Sequence, residues 1–158
     1  MDDFYLKVIE SFNTEDVKYL VVEGFAVNFY GYNRSTADLD LWVSNDEDNL
    51  NRIQVAIEKI GFEFNDDAKE ELLSDRMVSF SDSNSIVELI TRLNISKEVS
   101  FEMAYENLLV RTVEGTQIKV ISFNDLKKEK AKSKRYKDLD DLSKLEEAEA
   151  YYARLKKE

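Results

Sequence analysis

The chain has 158 residues, of which 43% are hydrophobic, and it contains neither cysteine nor histidine. The missing cysteine excludes disulfides, thiolate catalysis and sulfur-ligated metal, and the missing histidine excludes a Ser-His-Asp triad, histidine-ligated zinc, the histidine-aspartate phosphohydrolase site and a histidine general base. Without these two residues, any chemistry must use carboxylates, lysine, arginine, tyrosine or a hard metal ion. The formal charge of −11 argues against broad adhesion to nucleic acid or anionic membranes but is compatible with a local basic groove.

The first predicted elements are a helix, a buried strand and a glycine turn. Residues 3–12 place apolar side chains at helical spacing, and residues 18–22 form a β-branched and aromatic run typical of a central strand. Gly24 follows at once, and residues 26–30 are compatible with a short helix. A strand that passes through a glycine turn into a helix often directs backbone N–H groups at a phosphate, although one glycine alone is a weak signal.

A second strand, predicted over residues 37–43, carries two aspartates on one face. Apolar residues alternate with Asp38 and Asp40, so the two carboxylates point to the same side. Alternate residues of a strand lie roughly 6.5–7 Å apart, which lets both carboxylates reach one small volume. Hard oxygen ligands in that arrangement suit Mg²⁺. An edge strand whose acidic face lies in water explains the same alternation.

The middle of the chain predicts helices followed by a strand pair. An apolar helix face follows a cap at Asn45 or Asp46 and ends at Gly61. Residues 62–64 suggest a short strand, and residues 66–75 a surface helix. Two further strands are expected at residues 77–80 and 85–91, joined by a polar turn.

The second of these strands contains a single glutamate, Glu88, inside the apolar run 86–90. An unpaired buried carboxylate is unfavourable, so this side chain is expected to face a partner, a metal or a cavity. The alternative is a glutamate at a strand end in contact with water.

The last third of the chain predicts a short helix at residues 101–107, a hairpin around Glu114-Gly115, and a helical segment over residues 122–158. The first part of that segment, residues 127–138, is the only basic cluster of an acidic chain. A solvated helix face accounts for such a cluster, but its isolation favours a role facing an anion.

The chain shows no boundary between domains. It has no linker-like tract or internal repeat, which predicts a single domain spanning residues 1–158. No apolar run approaches the roughly 20 residues of a membrane span, and the first ten residues lack a signal-peptide pattern. A cytoplasmic protein is therefore expected.

Four stretches together resemble the small nucleotidyltransferase-like proteins of bacteria, a group related to antibiotic nucleotidyltransferases and to abortive-infection toxins. Members open with a hydrophobic strand and a Gly-Gly or Gly-Ser pair, which residues 22–26 match in part, and continue with Arg-x-Thr-x-Asp-x-Asp, which residues 34–40 match. A third acidic residue falls on Glu88, and residues 133–142 resemble the group's helical Arg-x-Lys-Asp tail.

The resemblance implies an α+β fold, with a nucleotidyltransferase-like mixed β-sheet flanked by helices and followed by the C-terminal helical segment. It implies that Asp38 and Asp40 hold two Mg²⁺ ions, and that Glu88 helps to hold a metal or takes the proton of the attacking hydroxyl. The reaction would transfer a nucleoside monophosphate from a nucleoside triphosphate to a hydroxyl of a small molecule, a protein or an RNA end. The nucleotide-binding residues would be Gly24, Arg34, Thr36, Lys134, Arg135 and Lys137, with Lys130 as a further cation of the last helix.

One position departs from the pattern of the group. Glu23 stands where the first glycine of the phosphate turn is expected, which adds bulk and negative charge beside a triphosphate. Glu23 either turns away, joins the metal ligands or impairs the site. An alternative function is therefore a catalytically impaired component of a toxin–antitoxin or other binding system, whose partner comes from a neighbouring gene, and a plain structural domain is the third possibility.

Overall fold

The computed structural model describes residues 1–33, 35–133 and 135–156, and its centre is one six-stranded mixed sheet with helices packed on it. The strands are β1 (Tyr19–Val22), β2 (Asp38–Val43), β3 (Val78–Asp82), β4 (Ser85–Ile90), β5 (Leu109–Val113) and β6 (Thr116–Val120). The helices are α1 (Asp3–Thr14), α2 (Glu23–Phe29), α3 (Glu47–Lys59), α4 (Asp66–Leu73), α5 (Phe101–Glu106), α6 (Phe123–Lys132) and α7 (Tyr136–Leu155), with a 3₁₀ helix at Asn94–Lys97. This architecture confirms the expected α+β class.

The two central strands of the sheet are β1 and β2. The strand order is β3-β4-β2-β1-β6-β5. β2 runs antiparallel to β1 and parallel to β4, while β1 runs parallel to β6. β2 therefore has a hydrogen-bonded neighbour on each side, which contradicts the alternative of an edge strand whose acidic face is merely solvated.

The side chains of β2 divide between the two faces of the sheet as the alternation predicts. Leu39 and Leu41 are fully buried. Trp42 shares the face of the aspartates, where its ring packs edge-on against Phe101 of α5 at a centroid distance of 5.4 Å. The aspartate face of β2 is thus buried at Trp42, near the end of the strand, and borders a cavity at Asp38 and Asp40, near its start.

Two sequence predictions need correction. Residues 62–64 form no strand, and their aromatic rings pack against the core without strand pairing: Phe64 is 2% exposed, and the half-buried Phe62 ring lies 5.6 Å from that of Phe4. The C-terminal helical segment is not continuous either. α6 ends at Lys132, and α7 begins at Tyr136 with Arg135 as its N-terminal cap.

A buried ion cluster joins α6, α7 and the first residue of α2. The Lys130 side chain on α6 is 1% exposed, and its Nζ lies 2.9 Å from Oε2 of Glu23, 2.8 Å from Oδ1 of Asp138 and 3.2 Å from Oδ2 of Asp141. Lys130 therefore does not face the cavity as a free cation, which corrects its expected role as a triphosphate contact.

The charges within this cluster stabilise one another. Burial alone would lower the pKa of Lys130, but the nearby carboxylates of Glu23 and Asp138 outweigh it, so the pKa is raised. Burial likewise opposes ionisation of Asp138, yet hydrogen bonds from Lys130, Ser133 and Arg135 hold its pKa well below its usual range. Both shifts favour the ionised forms of Lys130 and Asp138 in the folded protein at neutral pH.

A second buried acid, Glu129, fastens α6 to the 3₁₀ helix. Its carboxylate accepts hydrogen bonds from the backbone N–H groups of Asn94 (3.0 Å) and Ile95 (3.3 Å). Burial is the largest influence on this group and, against those two hydrogen bonds, raises the pKa of Glu129 from 4.5 to about 7. α6 is thereby held at two adjacent residues, on one side by Glu129 and on the other by Lys130.

None of the helices in the described part of the chain is long and apolar enough to cross a membrane. α7 is the longest at 20 residues, and charged side chains recur along it. Its length is therefore no sign of a membrane span.

We predict that Lys130→Met lowers the free energy of unfolding by about 3–5 kcal/mol, because it leaves buried carboxylates without their cation. Urea denaturation monitored by the fluorescence of Trp42 measures this change. The control is Lys132→Met on the same helix, whose side chain is 37% exposed and pairs with Glu98 at the surface. The control should lose no more than about 1 kcal/mol, and equal losses in both variants would contradict the role assigned to Lys130.

The raised pKa of Glu129 predicts a pH-dependent stability. Between pH 4.5 and about 7 the folded state retains a proton that the unfolded state has released, so this group makes the protein less stable as the pH rises through that window, by up to about 3 kcal/mol. Glu129→Gln mimics the protonated acid and removes this contribution. We therefore expect the stability of Glu129→Gln relative to the wild type to increase from pH 4.5 to 7.5 in urea titrations, whereas a constant difference would refute the assignment.

Candidate active site

The candidate site begins where β2 meets its two neighbours. Asp40 of β2 lies opposite Val22 of β1, the residue before Glu23, and opposite Glu88 of β4. Asp38 lies two residues earlier on the same face of β2. The sheet register thus places the three carboxylates that the sequence singles out at neighbouring positions of two adjacent strands.

Asp40 and Glu88 occupy paired positions of β2 and β4, so their two negative charges repel each other unless one carboxyl group holds a proton. Burial is the largest cause of the raised pKa of Asp40. The hydrogen bond and charge of Glu88, and then the charges of Glu23 and Asp38, raise it further, to about 8. Negative charge is therefore concentrated at this point of the sheet, and a proton or another cation has to balance it.

A cavity of about 380 Å³ opens beside the two aspartates. Its lining residues come from the start of α2, from the loop before β2, from β2 itself and from α7: Gly24, Ser35, Thr36, Ala37, Asp38, Asp40 and Lys137. Five of the residues predicted for the site therefore line one cavity: Gly24, Thr36, Asp38, Asp40 and the exposed Lys137. Glu88 reaches this group through Asp40 and does not line the cavity itself.

Two cavities larger than this one lie elsewhere along α7. One of about 480 Å³ is lined mainly by aromatic and aliphatic groups, among them Phe29, Phe123 and Tyr152. Another, of about 600 Å³, lies beside Tyr32 and Tyr151. Neither contains the strand aspartates, so chemistry rather than size identifies the smaller cavity as the candidate site.

Glu23 is the first residue of α2, at the turn where the chain leaves β1, and its backbone conformation is one that favours glycine. Its φ is +57°, in the left-handed region, which costs a residue with a side chain about 1–2 kcal/mol relative to glycine. Its carboxylate is turned towards Lys130 and lies 3.8 Å from Nη2 of Arg135. The side chain therefore turns away to cationic partners, although its charge still reaches Asp40.

The basic segment contributes two described cations at the cavity. Lys137 lines it directly. Arg135 is held by Asp138, with Nε 2.7 Å from Oδ2, and lies close enough to Asp40 for that carboxylate to contribute to its raised pKa, after the hydrogen bond of Asp138 as the largest cause. Arg34 and Lys134, which the sequence also predicts to bind nucleotide, lie outside the described residues.

The chemistry of these donors fits a hard divalent cation. Asp38, Asp40 and Glu88 offer carboxylate oxygens in a region of excess negative charge. Within the described residues, no three acidic side chains stand close enough to form a metal-ligand set by themselves. Mg²⁺ is usually held by only one or two carboxylates together with water and substrate phosphates, so a complete protein cage is not required.

Sequence reasoning missed the link between Glu23 and Lys130. The two residues are 107 positions apart, and the basic cluster contains several lysines that the sequence cannot distinguish by burial. The available signal was the departure at Glu23 itself, because a carboxylate at a phosphate turn needs a compensating cation.

Comparison with known proteins supports this architecture. No protein-family model and no curated protein matches the chain. Among solved structures, an antigenic nucleotidyltransferase-like protein from Paracoccidioides brasiliensis is 16% identical with a TM-score of 0.56, and the alignment covers 92% of this chain and 77% of that one.

Two solved structures of ANT(2″)-Ia are similar to this chain at about the same level. The crystal structure of ANT(2″)-Ia in complex with adenylyl-2″-tobramycin is 10% identical with a TM-score of 0.51, covering 96% of this chain and 95% of that one. The solution structure of the antibiotic-resistance factor ANT(2″)-Ia is 11% identical with a TM-score of 0.53, covering 99% and 97%. Identities this low establish the fold alone, and the conclusion they support is that this chain has a nucleotidyltransferase-like fold.

Proposed function

We propose that the protein is a Mg²⁺-dependent nucleotidyltransferase that moves a nucleoside monophosphate from a nucleoside triphosphate to a hydroxyl group. The observation that carries the proposal is the cavity in which Gly24, Asp38, Asp40 and Lys137 meet on a nucleotidyltransferase-like fold. Carboxylates and a lysine around one small volume complement a metal-bound polyphosphate, which carries both signs of charge.

In this proposal Asp38 and Asp40 hold the metal, and Glu88 holds it or accepts the proton of the attacking hydroxyl. Bound Mg²⁺ would supply charge neutralisation at the phosphate oxygens. Because Asp40 and Glu88 are paired across adjacent strands, their carboxyl groups would share one proton when no metal is bound. A hard cation would replace that proton as the balancing charge.

The triphosphate would lie between the glycine turn and the start of α7. Gly24 and Thr36 border the cavity from one side, and Lys137 from the other, with Arg135 nearby. Arg34 and Lys134 are further proposed contacts. In the reaction, the hydroxyl oxygen of the acceptor bonds to the α-phosphorus while the bond to the bridging oxygen breaks. Pyrophosphate leaves, and the hydroxyl proton passes to a carboxylate.

The acceptor would be a small molecule, a protein or an RNA end.

The second candidate function is a nucleotidyltransferase-like component of a toxin–antitoxin or other binding system that has lost turnover. The observation that favours it is the glutamate at the phosphate turn, Glu23, whose charge adds to that of Asp40. This candidate predicts no nucleotide binding in Mg²⁺ and a stable complex with the product of a neighbouring gene.

We expect isothermal titration calorimetry to detect binding of at least one of ATP, GTP, CTP and UTP in the presence of Mg²⁺. Asp40→Asn should weaken that binding by about 10- to 100-fold, the equivalent of losing one charged interaction.

Without Mg²⁺ the Asp40→Asn variant should melt at or above the temperature of the wild type, because it removes a repelling carboxylate.

The matched control is Asp82→Asn at the end of the edge strand β3, an exposed aspartate of the same sheet. It should bind the nucleotide as the wild type does. If no nucleotide binds the wild type, the transferase proposal fails, and if Asp40→Asn binds normally, the assignment of the metal site fails.

A further inference from the structure

Glu23 combines an unfavourable backbone conformation with a contact to the buried Lys130. A glutamate occupies a left-handed backbone conformation (φ +57°) at the turn that borders the cavity, where glycine would relieve the strain. A residue that is held in such a conformation needs compensating contacts. Those contacts lie on the side of the residue away from solvent, since its side chain is only 22% exposed.

The compensating contacts reach both helices that follow the sheet. Lys130 Nζ of α6 donates to Oε2 of Glu23 at 2.9 Å and to Oδ1 of Asp138 of α7 at 2.8 Å. Arg135, the N-terminal cap residue of α7, bridges the same two acids, at 3.8 Å from Glu23 and 2.7 Å from Asp138. The turn and the start of α7 are therefore connected through two cations.

We propose that Glu23 is a positioning residue of the nucleotide site: its charged contact with buried Lys130 holds the glycine turn and the first turn of α7 at the spacing that a triphosphate requires. This inference rests on the proposed function. In this role Glu23 supports nucleotide binding in spite of its negative charge, because its carboxylate pairs with Lys130 and Arg135 and thereby helps to hold Lys137 beside the cavity.

The geometry separates this role from a general role in stability. Without the charge of Glu23, Lys130 still has Asp138 and Asp141 as partners at 2.8 and 3.2 Å, so α6 and α7 remain joined. What is lost is the connection from this pair of helices to the turn. Neutralising Glu23 should therefore loosen the turn without unfolding the protein.

The test compares Glu23→Gln with Glu149→Gln. The first variant keeps the size and the backbone strain of Glu23 but removes its charge. The second removes the charge of Glu149, which lies on α7 and pairs with Lys127 of α6 at 2.7 Å, far along the helix from the cavity. Each variant thus neutralises one acidic partner of one α6 lysine.

Two measurements are made on the same samples. Hydrogen–deuterium exchange follows the backbone amides of residues 24–27 and 138–139, and calorimetry measures the Kd of Mg²⁺-ATP, or of whichever nucleotide binds best. For Glu23→Gln we expect exchange at residues 24–27 to accelerate about tenfold and the Kd to rise about tenfold, as for the loss of one charge-assisted hydrogen bond. Exchange at residues 138–139 should stay close to that of the wild type, because Asp138 keeps its bonds to Lys130, Ser133 and Arg135. Glu149→Gln should change neither quantity.

Each other outcome decides against a specific claim. Tighter nucleotide binding by Glu23→Gln would show that Glu23 only repels the triphosphate, and unchanged exchange would show that it positions nothing. Either result overturns the inference. If the wild type binds no nucleotide, the proposed function fails, while the exchange measurement still decides whether Glu23 couples the turn to α7.

Discussion

The arrangement of the site depends on the buried ammonium group of Lys130. A buried charge is tolerated only with partners, and Lys130 takes one from the start of α2, 107 residues away in sequence, and others from α7, the next helix of the chain. Because Lys130 itself lies on α6, its position determines where the three segments meet. The helices that follow the sheet are thus attached beside the aspartate strand by electrostatics in addition to apolar packing.

The electrostatic situation at Asp40 is the reverse of that at Lys130. Here burial and three neighbouring carboxylates raise the pKa of Asp40, and among the described cations Lys137 lines the adjacent cavity. Glu23 lies between the two places, since it contacts Lys130 and acts on Asp40. The cluster around Lys130 is balanced by its own cations, whereas the described residues around Asp40 concentrate negative charge, which favours a bound cation.

Much of the sheet is readable from local patterns because strand alternation and turn chemistry are local. The two-residue hairpin turn at Glu114-Gly115 has positive φ at both positions, as predicted from its residues. The interruption between α6 and α7 was not readable, because residues 133–135 lie within a pattern of helix formers. The hydroxyl of Ser133 and the guanidinium of Arg135 bond to Asp138, which stabilises a break that no propensity scale predicts.

The sequence alone determined that Asp38 and Asp40 share one face of a strand, that Glu88 requires a partner, and that any catalysis lacks histidine and cysteine. These conclusions follow from a period of two residues, the penalty for burying a charge, and composition. Only the tertiary structure decided that Asp40 pairs with Glu88, that Lys130 is buried, and that Glu23 faces it. Those facts depend on strand register and on helix docking between residues as many as 107 positions apart, and no local pattern encodes such contacts.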